Sequence, residues 1–220
     1  MAQHGSYVVI EGTDATGKST QAEILAERLM AVGHEVVQFH EPDGVAIAHE
    51  LRKIIKNGTF ERSALTNVLL FTAARRENWR QQGLPVLERG GFIVAARNYY
   101  STLAYQGIAE GIGYGSEDEA LAYIEKLTRE ATDERYMIPD YAVMLDIDDE
   151  VERKRRIAER GEPTDSDTFE SRGSDFQQQV IHAYRSIARR KQIPVISATQ
   201  APDAVADELW QAIQPLMKRA

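Results

Sequence analysis

The stretch that decides the fold of this chain reads Gly12-Thr13-Asp14-Ala15-Thr16-Gly17-Lys18-Ser19. It fits the pattern G-x-x-x-x-G-K-[ST], between an apolar run typical of a strand and a segment with helical periodicity. Glycines at both ends of such a loop allow its N–H groups to surround a phosphate, and the following helix adds partial positive charge. The loop is therefore predicted to bind a nucleoside triphosphate, usually ATP, through all of its residues except Asp14 and through Thr20, which follows it. In this interpretation Lys18 reaches the outer phosphates and Ser19 ligates Mg²⁺.

Strand-like apolar runs alternate with helical periodicity along the whole chain. The predicted strands cover 7–10, 36–39, 92–96, 141–145 and 194–196. The predicted helices cover 21–32, 46–55, 65–79 with a continuation to 87 past Pro85, 117–130, 149–159, 177–191 and 202–217. Short, almost wholly apolar strands separated by helices are typical of a parallel sheet. We therefore expect an α/β fold with a five-stranded parallel sheet, helices on both faces and ligands at the carboxyl ends of the strands.

The composition narrows the class of protein. A length of 220 residues fits a single domain, 1–220. The 26 Lys and Arg against 34 Asp and Glu give a net charge of −8, which argues against binding of a nucleic-acid backbone. The lack of cysteine excludes disulfides, thiolate metal sites and cysteine nucleophiles. The sequence has no signal peptide and no apolar run long enough to span a bilayer, so we expect a cytoplasmic protein with no membrane partner.

The phosphate-binding loop by itself leaves kinases, GTPases and mechanical ATPases open. A GTPase should carry an N-K-x-D segment that reads guanine, and the sequence contains none. A motor-type ATPase often holds Mg²⁺ through an Asp at the end of an apolar strand, and Val143-Met144-Leu145-Asp146 fits that description. A motor-type ATPase therefore remains an alternative to a kinase at this point.

Further segments resemble the bacterial thymidylate kinases, in order and over nearly the whole chain. They are Glu11-Gly12-Thr13-Asp14, Glu41-Pro42-Asp43-Gly44, Leu69-Leu70-Phe71-Thr72-Ala73-Ala74-Arg75, Pro85-Val86-Leu87-Glu88-Arg89-Gly90, Arg97 with Ser101-Thr102-Leu103-Ala104-Tyr105-Gln106-Gly107, and Asp167-Thr168-Phe169-Glu170. The resemblance implies a nucleoside monophosphate kinase fold of the P-loop type. It also implies transfer of the γ-phosphate of ATP to dTMP, which gives dTDP, with Mg²⁺ as cofactor and a homodimer as the assembly.

The same resemblance implies roles for the residues of an acceptor site. Phe71 matches the position that stacks on thymine, and Arg75 matches the position that donates to a pyrimidine carbonyl; their i, i+4 spacing places them on one helix face. Asp14 matches the residue that binds the 3′-hydroxyl, and Tyr105 the residue that excludes a ribose 2′-hydroxyl. The remaining matches are Thr102 and Gln106, as neighbouring substrate contacts, and Arg52 and Arg97, which grip the acceptor phosphate. Arg97 is also a catalytic candidate.

Several of these side chains also have a purely structural interpretation. Phe71 can be a core residue, because Leu69 and Leu70 indicate that its helix is partly buried. Tyr105 and Gln106 can be half-buried helix positions, and Arg52 can be an exposed helix charge. The sequence alone leaves these alternatives open.

A basic segment at 153–160 is the candidate lid. It contains five basic residues and one acidic residue, a local charge of +4, whereas 140–152 contains six acidic residues and no basic one. Such a run can be the solvated face of a helix. In the functional interpretation a mobile lid at about 153–170 closes over the triphosphate, and its arginines neutralise the charge of the transferring group. Arg155 and Arg160 are the catalytic candidates, with Arg156 next.

The chain departs from the resembling sequences at three places. Ala96 stands where they carry the Asp of an Asp-Arg-Tyr text, Asp43 replaces a Gly, and Thr168 replaces an Arg. The loss of the carboxylate at Ala96 affects the expected surroundings of Mg²⁺. Two alternatives to dTMP phosphorylation therefore stay open: a kinase for another deoxynucleotide or a deoxynucleoside, and a nucleotide-binding sensor with weak transfer activity.

Overall fold

One parallel sheet is formed by β1 (Ser6–Gly12), β2 (Val36–His40), β3 (Phe92–Ala96), β4 (Tyr141–Asp146) and β5 (Val195–Ser197). Its strand order is β2-β3-β1-β4-β5, and each neighbouring pair runs parallel. The computed structural model describes residues 5–160, 169 and 172–218, and only the backbone of Arg160. The predicted five-stranded parallel α/β fold is confirmed.

Helices connect the strands. They are α1 (Lys18–Ala31), α2 (Ala46–Lys56), α3 (Ala64–Asn78), α4 (Leu84–Glu88), α5 (Tyr99–Thr102), α6 (Glu117–Ala131), α7 (Glu134–Met137), α8 (Glu150–Arg160), α9 (Ser174–Lys191) and α10 (Pro202–Met217). Two segments with wider, π-type turns, Trp79–Gly83 and Leu103–Glu110, join α3 to α4 and extend α5. Within the described residues, no helix is both long enough and apolar enough to cross a membrane.

The side chains of β1 alternate between two apolar layers, as expected for a strand with both faces covered. Tyr7 and Val9 lie in the layer that includes side chains of α3, α6 and α9, whereas Val8 and Ile10 lie in the layer that includes side chains of α1 and α10. All four are at most 1 % exposed. The central strand is therefore anchored from both sides, and its carboxyl end presents the loop that follows it from a rigid base.

The helical prediction around Pro85 is confirmed in a modified form. The helix that begins at Ala64 continues to Glu88, but through the π-type segment Trp79–Gly83. Pro85 lies in the first turn of α4, directly after the π-type segment, so the residue without an N–H falls where the regular α-helical hydrogen bonding is already interrupted. The helical stretch from Tyr99 to Glu110 was not predicted from periodicity, because its π-type turns do not repeat every 3.6 residues.

The strand order creates a crevice at one end of the sheet. The connection after β1 leads to β2 on one side, and the connection after β3 leads to β4 on the other side. Since β1 and β3 are neighbours, their carboxyl ends flank the switch point of the sheet, at which the connections leave in opposite directions. Ligands of open α/β sheets bind at this point. The phosphate-binding loop follows β1, and Arg97 follows β3.

We predict that Gly12→Ala destabilises the fold more than Gly33→Ala. Both glycines have positive φ, +151° and +96°, but only at Gly12 would a Cβ lie 2.5 Å from the backbone oxygen of Leu145; at Gly33 it would meet open space. We expect a loss of about 1–2 kcal/mol for Gly33→Ala and about 2–5 kcal/mol for Gly12→Ala in the free energy of unfolding. Urea denaturation of both variants measures this difference. Equal losses would mean that the contact with β4 does not constrain the loop.

Candidate active site

A cavity of about 330 Å³ opens between the carboxyl ends of β1 and β3. Every residue assigned above to the acceptor site lines it, and so do Lys18 and Ser19 of the phosphate-binding loop; the acceptor-site residues are Asp14, Arg52, Phe71, Arg75, Arg97, Thr102, Tyr105 and Gln106. The chain distance between the first and last of these residues exceeds ninety positions. The fold thus brings together in one cavity the residues that the resemblance selected from separate segments.

The phosphate-binding loop has the geometry of an anion cradle. Ala15 and Gly17 have positive φ, 64° and 81°, which turns successive N–H groups toward the same side of the loop. The N-cap residue of α1 is Gly17, which has no side chain that could accept from the first N–H groups of the helix. Thr16 closes the turn from within, because its hydroxyl donates to the carbonyl of Thr13 at 2.8 Å. The start of α1 is therefore available to an anion.

Lys18 is buried and bends back toward its own loop. Its Nζ donates to the carbonyl of Thr13 at 3.1 Å and lies 3.4 Å from the Asp14 carboxylate. The pKa of Lys18 is lowered to about 8; burial is the largest cause and the nearby Arg97 charge adds to it, whereas the Asp14 and Glu11 charges oppose the shift. The ammonium is thus destabilised in the folded chain, so an additional anion close to it is favoured.

An ion pair joins the two strand ends. Arg97 Nη2 lies 2.5 Å from Asp14 Oδ1, and Arg97 Nη1 donates to the hydroxyls of Ser101 at 3.1 Å and Tyr184 at 2.7 Å. Tyr105 adds a hydrogen bond from its hydroxyl to Asp14 Oδ2 at 3.3 Å. Because Asp14 belongs to the phosphate-binding loop and Arg97 follows β3, this pair holds the donor and acceptor sides of the cavity together.

Glu11, at the end of β1, supports the walls of the cavity, and the sequence reasoning assigned it no role of its own. Its carboxylate is fully buried and accepts hydrogen bonds from the N–H groups of Asn98 and Ser101, at 2.8 and 3.0 Å, and from the hydroxyls of Ser101 and Tyr184, at 2.9 and 3.2 Å. The segment after β3 is therefore folded around this side chain. The available signal was an acidic residue within an otherwise apolar strand.

Arg75 is held rigidly below the cavity. Its Nε donates to Glu41 Oε2 at 3.0 Å and to the Tyr136 hydroxyl at 2.8 Å, and its Nη2 donates to Thr102 Oγ1 at 3.1 Å. Burial raises the pKa of the Glu41 carboxyl, and the Arg75 guanidinium opposes that rise. Among the described residues no partner reaches Arg75 Nη1, a buried donor. An unsatisfied guanidinium N–H at a cavity wall favours a ligand with a carbonyl oxygen.

Aromatic rings and a glutamine complete the acceptor side. The rings of Phe71 and Tyr105 each lie 6.0 Å from the ring of Phe169, so the three form an apolar corner of the cavity. Phe71 is only partly buried, which fits a ring that keeps one face accessible. Gln106 is buried and its amide donates to Glu110 at 3.1 Å, so this side chain has a structural contact as well as a place in the cavity wall.

The arginines of the basic helix α8 differ in their burial and in their partners. Arg155 is exposed and pairs with Glu152 at 2.6 Å and Glu159 at 2.5 Å, and Arg156 pairs with Glu152 at 2.7 Å. None of these three contacts reaches the cavity. The side chain of Arg160, and residues 161–168 with 170–171, lie outside the described part of the chain.

Among the described side chains of α8, Arg153 contacts the phosphate-binding loop, and the sequence reasoning did not single it out. It is buried, its Nη1 donates to Thr13 Oγ1 at 2.5 Å, and its Nη2 donates to Asp146 Oδ1 at 3.1 Å and to the carbonyl of Ile147. Asp146 also accepts from Arg185 at 2.8 Å. Because two guanidinium groups hold Asp146, the arrangement disfavours it as the Mg²⁺ carboxylate of a motor-type ATPase.

The residues present fit a magnesium ion that is held mainly by nucleotide phosphates. Ser19 is exposed in the first turn of α1 and lines the cavity. Among the described residues, no cluster of three or more His, Cys, Asp or Glu side chains could hold a metal by itself. Mg²⁺ is often bound through one or two protein ligands together with substrate phosphates and water, and the exposed Ser19 hydroxyl is suited to be such a ligand.

Comparisons with known proteins identify the family of the chain. The family model described as "Thymidylate kinase" matches residues 10–209. A thymidylate kinase of Gluconobacter oxydans is 36 % identical over 97 % of this chain and 96 % of its own length, and one of Thermomicrobium roseum is 34 % identical with the same coverage. The crystal structure of a thymidylate kinase from Ehrlichia chaffeensis shares the fold, with a TM-score of 0.74 and 24 % identity over 96 % of this chain and 99 % of that one. The chain therefore belongs to the thymidylate kinase family.

Proposed function

We propose that this chain transfers the γ-phosphoryl group of ATP to dTMP, which gives dTDP and ADP. One observation carries the proposal: a single cavity is lined both by the phosphate-binding loop and by Arg75. The Asp14–Arg97 ion pair lies between the two. The buried guanidinium of Arg75 keeps one donor that no described residue contacts. Such a cavity can bind two phosphate-bearing ligands side by side. Phosphoryl transfer requires little more than this positioning and the stabilisation of charge.

On the donor side, the N–H groups of the loop and of the start of α1 bind the phosphates of ATP. The loop residues are Gly12, Thr13, Ala15, Thr16, Gly17, Lys18, Ser19 and Thr20. Lys18 leaves its contacts with Thr13 and Asp14 and turns to the outer phosphates, where its ammonium is better stabilised. Mg²⁺, with Ser19 as a protein ligand, supplies neutralisation of charge on the transferring group when it is bound.

On the acceptor side, Phe71 stacks on the thymine and Arg75 Nη1 donates to a carbonyl oxygen of the base. Asp14 accepts from the 3′-hydroxyl of the sugar. Tyr105 packs under the sugar and leaves no room for a 2′-hydroxyl. The neighbouring contacts are made by Thr102 and Gln106, and the acceptor phosphate is held by Arg52 and Arg97. This phosphate needs no strong base, because a phosphate monoester is largely dianionic at pH 7 with a second pKa of about 6.

The basic segment and the assembly complete the proposal. A lid at about 153–170 brings Arg155 and Arg160 to the transferring phosphoryl group, after Arg155 exchanges its contacts with Glu152 and Glu159 for phosphate oxygens. The chain forms a homodimer in this proposal, and its contact would cover large apolar side chains that are exposed on and between α2 and α3. These side chains are Ile47, Ile54, Phe60 and Leu69.

We predict that the affinity for ATP falls as the pH rises through about 8. The pKa of Lys18 is lowered to about 8 without ligand. The lysine loses its proton above this pH. The protein then has to take up a proton at Lys18 when it binds the triphosphate, which weakens the binding. From pH 8 to pH 9.5 the dissociation constant should rise by up to about tenfold per unit. Titration calorimetry with MgATP measures it, and Lys18→Arg, which stays charged, should flatten the profile. An unchanged affinity in the parent protein would contradict the role of Lys18.

We predict that Arg75 determines the choice of base. A guanidinium donor favours the C4 carbonyl of thymine over the C4 amino group of cytosine. Arg75→Ala should therefore reduce the ratio of kcat/KM for dTMP to that for dCMP by about 10–100-fold, as expected for one hydrogen bond to a charged group. Steady-state assays over a panel of nucleoside monophosphates measure it, with Arg76→Ala on the exposed side of the same helix as the control.

A second variant separates recognition from folding. Arg75→Ala leaves the buried Glu41 carboxylate without its cation, so the double variant Glu41→Gln/Arg75→Gln keeps a neutral, hydrogen-bonded pair in the same place. It should show the same loss of base preference. If both variants retain the preference for dTMP, the base pocket is assigned wrongly, and a parent enzyme that prefers AMP, GMP or UMP would overturn the proposed function.

We predict that Arg155 acts in the transfer step. Arg155→Ala should lower kcat by about 10²–10³-fold and leave the KM for dTMP nearly unchanged, because the side chain contributes charge stabilisation only when phosphate is present. The matched control is Lys154→Ala, which removes an exposed charge that pairs with Glu150 on the same helix. Rapid-quench measurements of a single turnover test the chemical step directly. An unchanged rate would remove Arg155 from the mechanism.

A further inference from the structure

An acidic side chain faces the cavity from the turn between β2 and α2. The Asp43 carboxylate lies 3.4 Å from Arg52 Nε through Oδ2 and 3.0 Å from His49 Nδ1 through Oδ1. Asp43 and Arg52 both line the cavity, and their side chains are partly exposed, at 34 % and 28 %. A cation that the acceptor phosphate needs is therefore already paired with an anion of the chain.

The turn that carries Asp43 is held from below. Asn78, which is fully buried, donates to the carbonyl of Asp43 at 2.8 Å and accepts from the N–H of Val45 at 2.9 Å. Asp43 also donates through its own N–H to the carbonyl of His40 at 2.9 Å. At Gly44, φ is +150° and a Cβ would lie 2.2 Å from the Asn78 side chain. These contacts hold the backbone at Asp43 beside Arg52.

The chemistry of this pair opposes phosphate binding in two ways. Asp43 neutralises part of the Arg52 charge, so a phosphate that binds the same guanidinium has to share that charge with the carboxylate or displace it. The carboxylate that remains nearby then repels the dianion.

We propose that Asp43 is a specificity-determining residue that competes with the acceptor phosphate for Arg52 and so weakens the binding of the monophosphate relative to its nucleoside. The inference rests on the proposed function for the identity of the acceptor. A partly exposed ion pair contributes at most about 1 kcal/mol, and removal of the competitor is expected to strengthen monophosphate binding by about two- to fivefold, which corresponds to about 0.4–1 kcal/mol.

Calorimetric titration of dTMP and of thymidine tests the proposal. Asp43→Asn keeps the shape of the side chain and its acceptor for Gly44 N–H but removes the charge. It should bind dTMP about two- to fivefold more tightly and thymidine as the parent protein does. In an Arg52→Ala background the substitution should give no gain. Glu50→Gln on the same helix is the matched control, because Glu50 pairs with Lys53 and not with Arg52; it should leave both affinities unchanged.

Three results would overturn the proposal: weaker binding of dTMP to Asp43→Asn, an equal gain for thymidine, or the same gain without Arg52. The first would mean that Asp43 holds Arg52 in its binding position. Asp43→Gly, which is expected to give the same gain, repeats the comparison with the side chain removed. If the parent protein binds neither dTMP nor thymidine, the proposed function fails; the nucleoside monophosphate that it does bind, paired with its nucleoside, then tests Asp43 by the same criteria.

Discussion

The structure depends on one buried carboxylate, that of Glu11. A charged group without access to water is strongly unfavourable unless hydrogen bonds replace its hydration. Here the two N–H groups and two hydroxyls that replace it come from the segment after β3 and from α9. Satisfying one charge thus fixes the relative positions of β1, β3 and α9. Arg97 and the phosphate-binding loop extend directly from these elements, so the catalytic geometry follows from the solvation of Glu11.

The parts of the fold that could be predicted from the sequence are those that depend on neighbouring residues. The apolar runs at Tyr7–Ile10 and 92–96 indicate buried strands, and the glycines of the loop indicate a backbone that surrounds phosphate. The contacts of Arg153 with Thr13 and of Tyr136 with Arg75 could not be predicted in this way, since they join residues 140 and 61 positions apart. A run of basic residues has no pattern that separates the buried Arg153 from the exposed Arg155.

The charged residues of the chain fall into two groups, those that line the cavity and those on the outer surface. The net charge of −8 disfavours a nucleic-acid partner, but it does not prevent the cavity from having a cationic lining, with Lys18, Arg52, Arg75 and Arg97 in its walls. On the outside, acidic residues of α8 pair with the arginines of the same helix. Exposed pairs of this kind contribute little to stability, about 0–1 kcal/mol each, so these arginines can change partners at small cost. Buried pairs such as Arg75–Glu41 cannot.

The contacts of Arg153 determine which part of α8 can move. This guanidinium binds the phosphate-binding loop and the end of β4 at the same time, and motion of the first turn of α8 would leave a buried charge without its three acceptors. The amino-terminal end of α8 is therefore fixed to the phosphate-binding loop. If α8 is part of the proposed lid, these contacts restrict its motion to the two turns after Arg153, and Arg153 itself stays with the phosphate-binding loop.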